Sequence, residues 1–323
     1  MTGNRPGAAD ALRVTPDDIG KRVSLRRVIG TEEGRPVYSD VLGELVSWAG
    51  GVLVVRRRDG SLVEVPESTL VVGKVVPAPP PRRREAATRE LEAIAARAWP
   101  ALETEPLGEW WLRASQGFTG RGNSVLPLGD PGLPLDEAVD RVVAWYRARD
   151  LRPRFQVVVD SPLDQELAAR GWVGEAPVLV LTAPVRAVLG ALGASDPAAV
   201  RLSTRIPDGW LDVFRGGSAP AEVAAAILGA PPLVRFASVG EPPYAIGRAV
   251  VEGRWVGIFG VEVRPELRRR GLARAVLRAL LEWGEQAGAD TAYLQVEESN
   301  EPALALYAAL GFLTHHAYRY RLA

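Results

Sequence analysis

The sequence predicts an α/β protein of the α+β kind: a small N-terminal β-barrel followed by two mixed-sheet halves. Three observations point there. Residues 14–77 contain only short, Val- and Leu-rich runs separated by turn residues, a pattern for strands and no helices. From Arg84 onward, strand-like runs alternate with helical periodicity. An order of strand, loop, helix, strand, helix, Gly-aromatic and strand then occurs twice, at a shift of 140 residues.

The barrel comes first. Its expected strands are Arg22–Ile29, Pro36–Trp48, Gly51–Arg57, Ser61–Val65 and Thr69–Val75, with turns at Ala49-Gly50-Gly51 and Arg58-Asp59-Gly60. Five short strands within residues 14–77 predict an SH3-like barrel. Nine basic and nine acidic side chains in that span cancel, whereas a nucleic-acid module carries net positive charge. No nucleic-acid partner is expected, and a protein partner or scaffolding role suits the barrel better.

Pro77-Ala-Pro-Pro-Pro-Arg82, ending at the arginine run 82–84, reads as a linker stiffened by proline. A helix over 84–99 opens the first half, residues 84–184. Strands follow at 109–114 and 123–128, a helix at 135–149, a strand at 154–159, a helix at 162–170, then Gly171-Trp172 and a strand at 177–183. Shifted by 140, Pro162, Ala168, Ala169 and Gly171 fall on Pro302, Ala308, Ala309 and Gly311, with Trp172 on Phe312. The second half, residues 199–323, has helices near 207–214 and 221–228 and strands at 233–239, 246–251 and 254–263. In Leu272–Ala287, Val276, Leu277, Leu280 and Leu281 share one face and Arg274, Arg278, Glu282 and Glu285 the other.

Composition narrows the chemistry. At 323 residues and 47% apolar content, with 39 basic and 39 acidic side chains, the chain is globular and long enough for two or three cores. No run of ~18 apolar residues is present, so no membrane span is expected. The start, MTGNRPGAADALRV, has no apolar leader core, which makes the cytoplasm the expected compartment. Zero cysteines exclude thiolate catalysis, and two adjacent histidines, His315 and His316, cannot alone hold zinc, so no metal is expected. Only Lys21 and Lys74 among the basic residues are lysines; that arginine bias fits a GC-rich bacterial genome and devalues the runs at 56–58 and 82–84.

The densest signal lies between Trp255 and Phe312. Arg268-Arg269-Arg270-Gly271-Leu272-Ala273 opens directly into a helix after a strand. Free first-turn N–H groups and the positive end of the helix dipole make such a loop an anion site, and a glycine lets phosphate approach the backbone. This segment resembles the GNAT family of acyl-CoA-dependent N-acyltransferases. Arg268, Gly271 and Ala273 fit that family's Gln/Arg-x-x-Gly-x-Gly/Ala pyrophosphate loop, and Asn300, Leu306-Tyr307 and Leu310-Gly311-Phe312 follow in the family's order. Residues 84–184 then read as a degenerate GNAT half, an arrangement similar in architecture to tandem GNAT proteins such as mycothiol synthases. In place of a basic loop it has Leu128-Gly-Asp-Pro-Gly-Leu-Pro134, and it has Leu167 where the second half has Tyr307.

The resemblance implies roles. Acetyl-CoA would be the co-substrate, held by Val261, Glu262 and Val263 through the pantetheine arm, by the loop Arg268–Ala273 through the pyrophosphate, and by Asn300 and Tyr307. The Val263 N–H would serve the oxyanion. Tyr307 would be the general acid for the leaving thiolate, against the plain alternative of a core aromatic. Asn300 would contact the cofactor, cap its helix, or do both. Some family members carry a basic Glu at the position occupied here by Gln295. Glu262, Glu297 and Glu298 are the nearby carboxylates, and Glu262 is the candidate base. His316, Tyr318 and Tyr320 fall on one face of the last strand and His315 on the other, lining an acceptor pocket or simply packing the sheet. The expected function is acetyl transfer to an amine acceptor, small molecule or protein amine, by direct attack in a ternary complex. The alternative is a non-catalytic acyl-CoA sensor whose barrel docks a partner.

Overall fold

Alternating apolar positions in the first unit fold back on themselves. The computed structural model describes residues 12–32, 34–57, 61–76, 81–193 and 200–323, so the turn expected at 58–60 and most of the proline linker lie outside the described residues. The first unit, Met1–Glu85, holds β1 (Leu12–Arg13), β2 (Arg22–Glu32), β3 (Arg35–Ala49), β4 (Val52–Arg57), β5 (Leu62–Pro66) and β6 (Leu70–Val75). They form one sheet in the order β1-β6-β2-β3-β4-β5, antiparallel except for β1 against β6. Val23, Leu25, Val41, Leu45, Leu53, Val55 and Val65 point inward and are fully buried. The sheet curls until Arg27 of β2 donates to the Glu64 carbonyl of β5 at 2.7 Å.

The second unit, Ala86–Ala323, begins within α1 (Pro81–Ala98). It continues with β7 (Glu103–Leu107), β8 (Trp110–Ala114), β9 (Leu126–Pro127), α2 (Leu135–Arg147), β10 (Arg154–Val158), α3 (Pro162–Ala169), β11 (Val173–Gly174), β12 (Val178–Pro184) and α4 (Val185–Leu192). The second half holds β13 (Val200–Ser203), α5 (Trp210–Val213), α6 (Ala221–Gly229), β14 (Val234–Val239), β15 (Ala245–Glu252) and β16 (Trp255–Val263). Then come α7 (Leu272–Gln286), β17 (Thr291–Glu297), α8 (Glu301–Ala309) and β18 (Leu313–Leu322). β7, β8 and β9 make a small sheet of their own. The remaining strands form a sheet ordered β10-β18-β12-β17-β16-β15-β14-β13, with β11 also on β18.

The two halves are related as the 140-residue shift predicts. α3 and α8 begin with side-chain caps, Ser161 accepting from the Asp164 N–H and Asn300 from the Ala303 N–H. Both end at a left-handed glycine, Gly171 and Gly311, each at φ 83°. The halves are not separate sheets, however. β12 of the first half lies between β17 and β18, and β18 of the second lies between β10 and β12. Val178 pairs antiparallel with Tyr318, its own counterpart under the shift, so a local two-fold relates the exchanged strands. Asp164, buried in α3, accepts from Arg321 Nε on β18 at 2.7 Å and ties the exchange from the first-half side. A boundary drawn between 184 and 199 therefore cuts the chain without cutting the sheet.

This interleaving has a direct consequence. A chain of residues 200–323 alone leaves Thr291–Glu297 and Leu313–Tyr318 without the strand that pairs both. Cross-strand pairs contribute roughly 0.2–1 kcal/mol each, so two lost ladders remove an amount comparable with a domain's ~5–15 kcal/mol stability. The expected result is an aggregating or molten fragment by size exclusion and near-ultraviolet circular dichroism, rescued when residues 81–193 are produced with it. A monomeric 200–323 fragment that unfolds cooperatively would contradict the exchange.

Candidate active site

β16 and β17 run parallel only from Trp255–Thr291 to Ile258–Leu294. Beyond that the strands part, because β16 slips register against β15 between Ile246 and Arg248. Gly260 sits in the slip at φ 56°, where a Cβ would come within 3.0 Å of the Phe214 ring. The Arg264 N–H donates to Tyr244 O at 2.9 Å, on the β15 side. By strand alternation the N–H groups of Val263 and Val261 face the other way, into the gap. Across it stands Gln295 of β17, whose Oε1 and Nε2 are buried with no hydrogen-bond partner among the described residues.

The gap opens into a cleft of about 610 Å³. Its walls include Glu262, Gln295, Asn300, Tyr307, Tyr318 and Tyr320, together with Trp99, Arg121, Arg154 and Glu175 from the first half. Past the cleft, a 3-10 turn at Pro265–Leu267 leads to the basic loop. Arg268 donates from Nε to Val263 O at 3.2 Å. Arg269 and Gly271 both take left-handed conformations, at φ 64° and 78°, and swing the chain into α7. Gly271 has no side chain to cap that helix, so the first-turn amides are left for an outside acceptor. A Cβ on Gly271 would meet nothing within 4 Å, and Arg268, Arg269 and Arg270 are exposed around it. Open space, free amides and three cations fit a pyrophosphate.

Tyr307 is half-buried on α8, with its ring packed edge-on against Phe312 at 5.6 Å. Burial pushes its phenol up to about 12, so the proton stays on at neutral pH. Asn300 caps α8 through Oδ1 to the Ala303 N–H at 3.3 Å and also lines the cleft. Glu262 faces the cleft, and both carboxylate oxygens accept from the Arg215 N–H, at 3.1 and 3.0 Å. Burial raises its carboxyl above the usual range, while that N–H and the charges of Arg215 and Arg268 oppose the rise. Glu297 stands exposed at the cleft wall, and Glu298 is absent from it.

On β18 the alternation breaks. The β12–β18 register slips between His316 and Thr314, leaving His315 as the extra residue of a bulge. His315 Nδ1 then lies 2.8 Å from His316 Nδ1, contrary to the opposite-face placement expected from alternation. His316 Nε2 lies 2.7 Å from Glu92 Oε1, a buried contact that holds α1 against the sheet and leaves only Tyr318 and Tyr320 facing the cleft.

Sequence reasoning missed two arginines. Arg248 is fully buried on β15, donating from Nε to Leu228 O and from Nη2 to Ala98 O, both at 2.9 Å. Burial, helped by the nearby charge of Arg121, pushes its guanidinium down to about 9. A lone arginine inside Ala245-Ile-Gly-Arg-Ala-Val-Val251 was the available signal. Arg121 lies across the Trp99 and Phe259 rings, 5.2 and 5.6 Å from their centroids, and nothing in its short Gly-rich turn announces that position.

Parallel strands that part before a basic glycine loop and a helix define the GNAT fold, here in tandem. In the first half, an isolated parallel bridge joins Val125 and Phe155. A solved GCN5-related N-acetyltransferase from Kribbella flavida superposes with TM-score 0.54, 15% identity, 74% of this chain and 95% of that one. A tandem GNAT protein from the clavulanic acid biosynthesis pathway gives TM-score 0.51 and 16% identity over 76% and 95%. A family model described as "Probable histone acetyltransferase Rv0428c C-terminal" matches residues 85–321, and "Rv0428c N-terminal Sm-like domain" matches 17–74. The "Probable histone acetyltransferase Rv0428c" of Mycobacterium tuberculosis is 31% identical over 94% of each chain. The chain belongs to the Rv0428c family of tandem GNAT acyltransferases. Among the described residues, no helix is long and apolar enough to cross a membrane.

Proposed function

We propose that the protein transfers an acetyl group from acetyl-CoA to an amine by direct attack in a ternary complex. One observation carries the reading: outward-facing amides at Val261 and Val263 lead from the cleft holding Tyr307 to the open, cationic helix start at Gly271. The pantetheine arm takes the missing place beside β16, and the pyrophosphate meets the first-turn amides of α7. The acceptor enters from the side walled by the first half.

In this reading the amine lone pair forms the new C–N bond at the thioester carbonyl, and the Val263 N–H stabilises the oxyanion. Glu262, directly or through a water, takes the N–H proton; its raised pKa makes it a better base than an ordinary carboxylate. As the intermediate collapses, the C–S bond breaks onto sulfur and Tyr307 supplies the proton. No enzyme-bound acyl group forms, in keeping with a chain that has no cysteine.

Calorimetric titration should saturate at one acetyl-CoA per chain, because Asp130 and two prolines replace the basic loop in the first half. Two sites per chain would overturn that assignment. Thiol release across an amine library then tests the transfer itself. Stoichiometric binding with no release on any amine would favour the sensor reading over the enzyme.

A further inference from the structure

Arg121 and Arg248 flank the same two rings at the back of the cleft. Arg248 lies 5.5 Å from the Trp99 centroid and 5.2 Å from that of Phe259, and Arg121 lies over the same pair. Two like charges share an aromatic slot, and among the described residues neither has a carboxylate partner. Arg248 is fixed by two backbone carbonyls. Arg121 lines the open cleft with a buried Nε that lacks a hydrogen-bond partner. Buried cations without counter-charge are costly, and a bound anion offsets that cost.

We propose that Arg121 is the acceptor's anion-binding residue, so that the acceptor is an aminocarboxylate: an amine that also carries a carboxylate. This rests on the acetyl-transfer reading and specifies its substrate. The planar guanidinium presents a fork that matches a carboxylate. Tyr318, hydrogen-bonded to Arg121, and Tyr320 stand beside it and line the cleft. A monoanion fits better than a phosphate dianion, since Glu175, Glu262 and Glu297 also line the cleft.

The test compares α-, β- and γ-amino acids with their methyl esters as acceptors, for wild type and Arg121→Gln, with acetyl-CoA affinity measured alongside. Wild type should prefer a free acid over its ester by roughly tenfold to a hundredfold in kcat/KM, the scale of a charged hydrogen bond. Arg121→Gln should abolish the preference and Arg121→Lys should restore part of it, each with unaltered acetyl-CoA affinity. Equal use of acids and esters by wild type overturns the proposal even if the glutamine variant fails to fold, and leaves acetyl transfer standing. As a readout independent of turnover, N-acetylglycine should bind the CoA-loaded protein more tightly than its methyl ester. That selectivity without any turnover would overturn acetyl transfer but keep the anion site; equal binding would overturn the anion site.

Discussion

Tyr307→Phe is expected to lower kcat by about a hundredfold, with acetyl-CoA affinity nearly unchanged. General acid catalysis contributes ~10²–10⁴-fold. The lower end applies because a phenol pushed up to about 12 is a weak donor to a leaving thiolate. Its contribution begins as a hydrogen bond to the nascent charge, strengthened by the dry surroundings that raised the pKa. Phenylalanine keeps the edge-on contact with Phe312, so packing changes little. The loss belongs to the transition state and shows in kcat, not in ground-state binding. Rapid-quench or steady-state thiol release on a working acceptor measures it. A Tyr307→Phe enzyme with unaltered kcat would reduce Tyr307 to a core aromatic.

Gly271→Glu should abolish acetyl-CoA binding. The substituted residue meets no neighbour within 4 Å, so the fold has room for it. Its φ of 78° costs about 1–2 kcal/mol for an L side chain. The decisive effect is charge: a carboxylate takes the free amides of α7 and faces the pyrophosphate. Two like charges ~4 Å apart repel by about 4 kcal/mol at an effective dielectric near 20, roughly a thousandfold in affinity. Gly271→Asn tolerates the left-handed backbone and adds no charge, so it should retain most of the affinity. Calorimetry separates the two variants. Wild-type affinity in a folded Gly271→Glu protein would move the pyrophosphate elsewhere.

What could be read from the chain follows the range of the interactions involved. The loop at 268–273, the helix behind it and Tyr307 are encoded within a few dozen consecutive residues. The equivalence of α3 and α8 was visible through Gly171 and Gly311 because a left-handed helix end needs glycine locally. The exchange of β12 and β18 was not, since either strand alternates equally well beside any neighbour and no local residue records the choice. Arg121 escaped notice for a related reason: its neighbours Trp99 and Phe259 are distant in sequence. In the sequence, Gln295 marks only a missing base. Its unpartnered amide in the gap between β16 and β17 follows from the parting of those strands, which no local residue records.

The exchange also orders events in time. β10 is made early, yet its ladder partner is Arg154–Val158 against Leu322–Tyr318, synthesised more than a hundred and fifty residues later. On a ribosome the first half therefore waits with an unpaired strand edge until residue 322 has emerged. Closure of such distant pairs is slow, and an exposed edge invites pairing with other chains. The first half cannot be discarded, because the strand it lends is the one on which the second half closes.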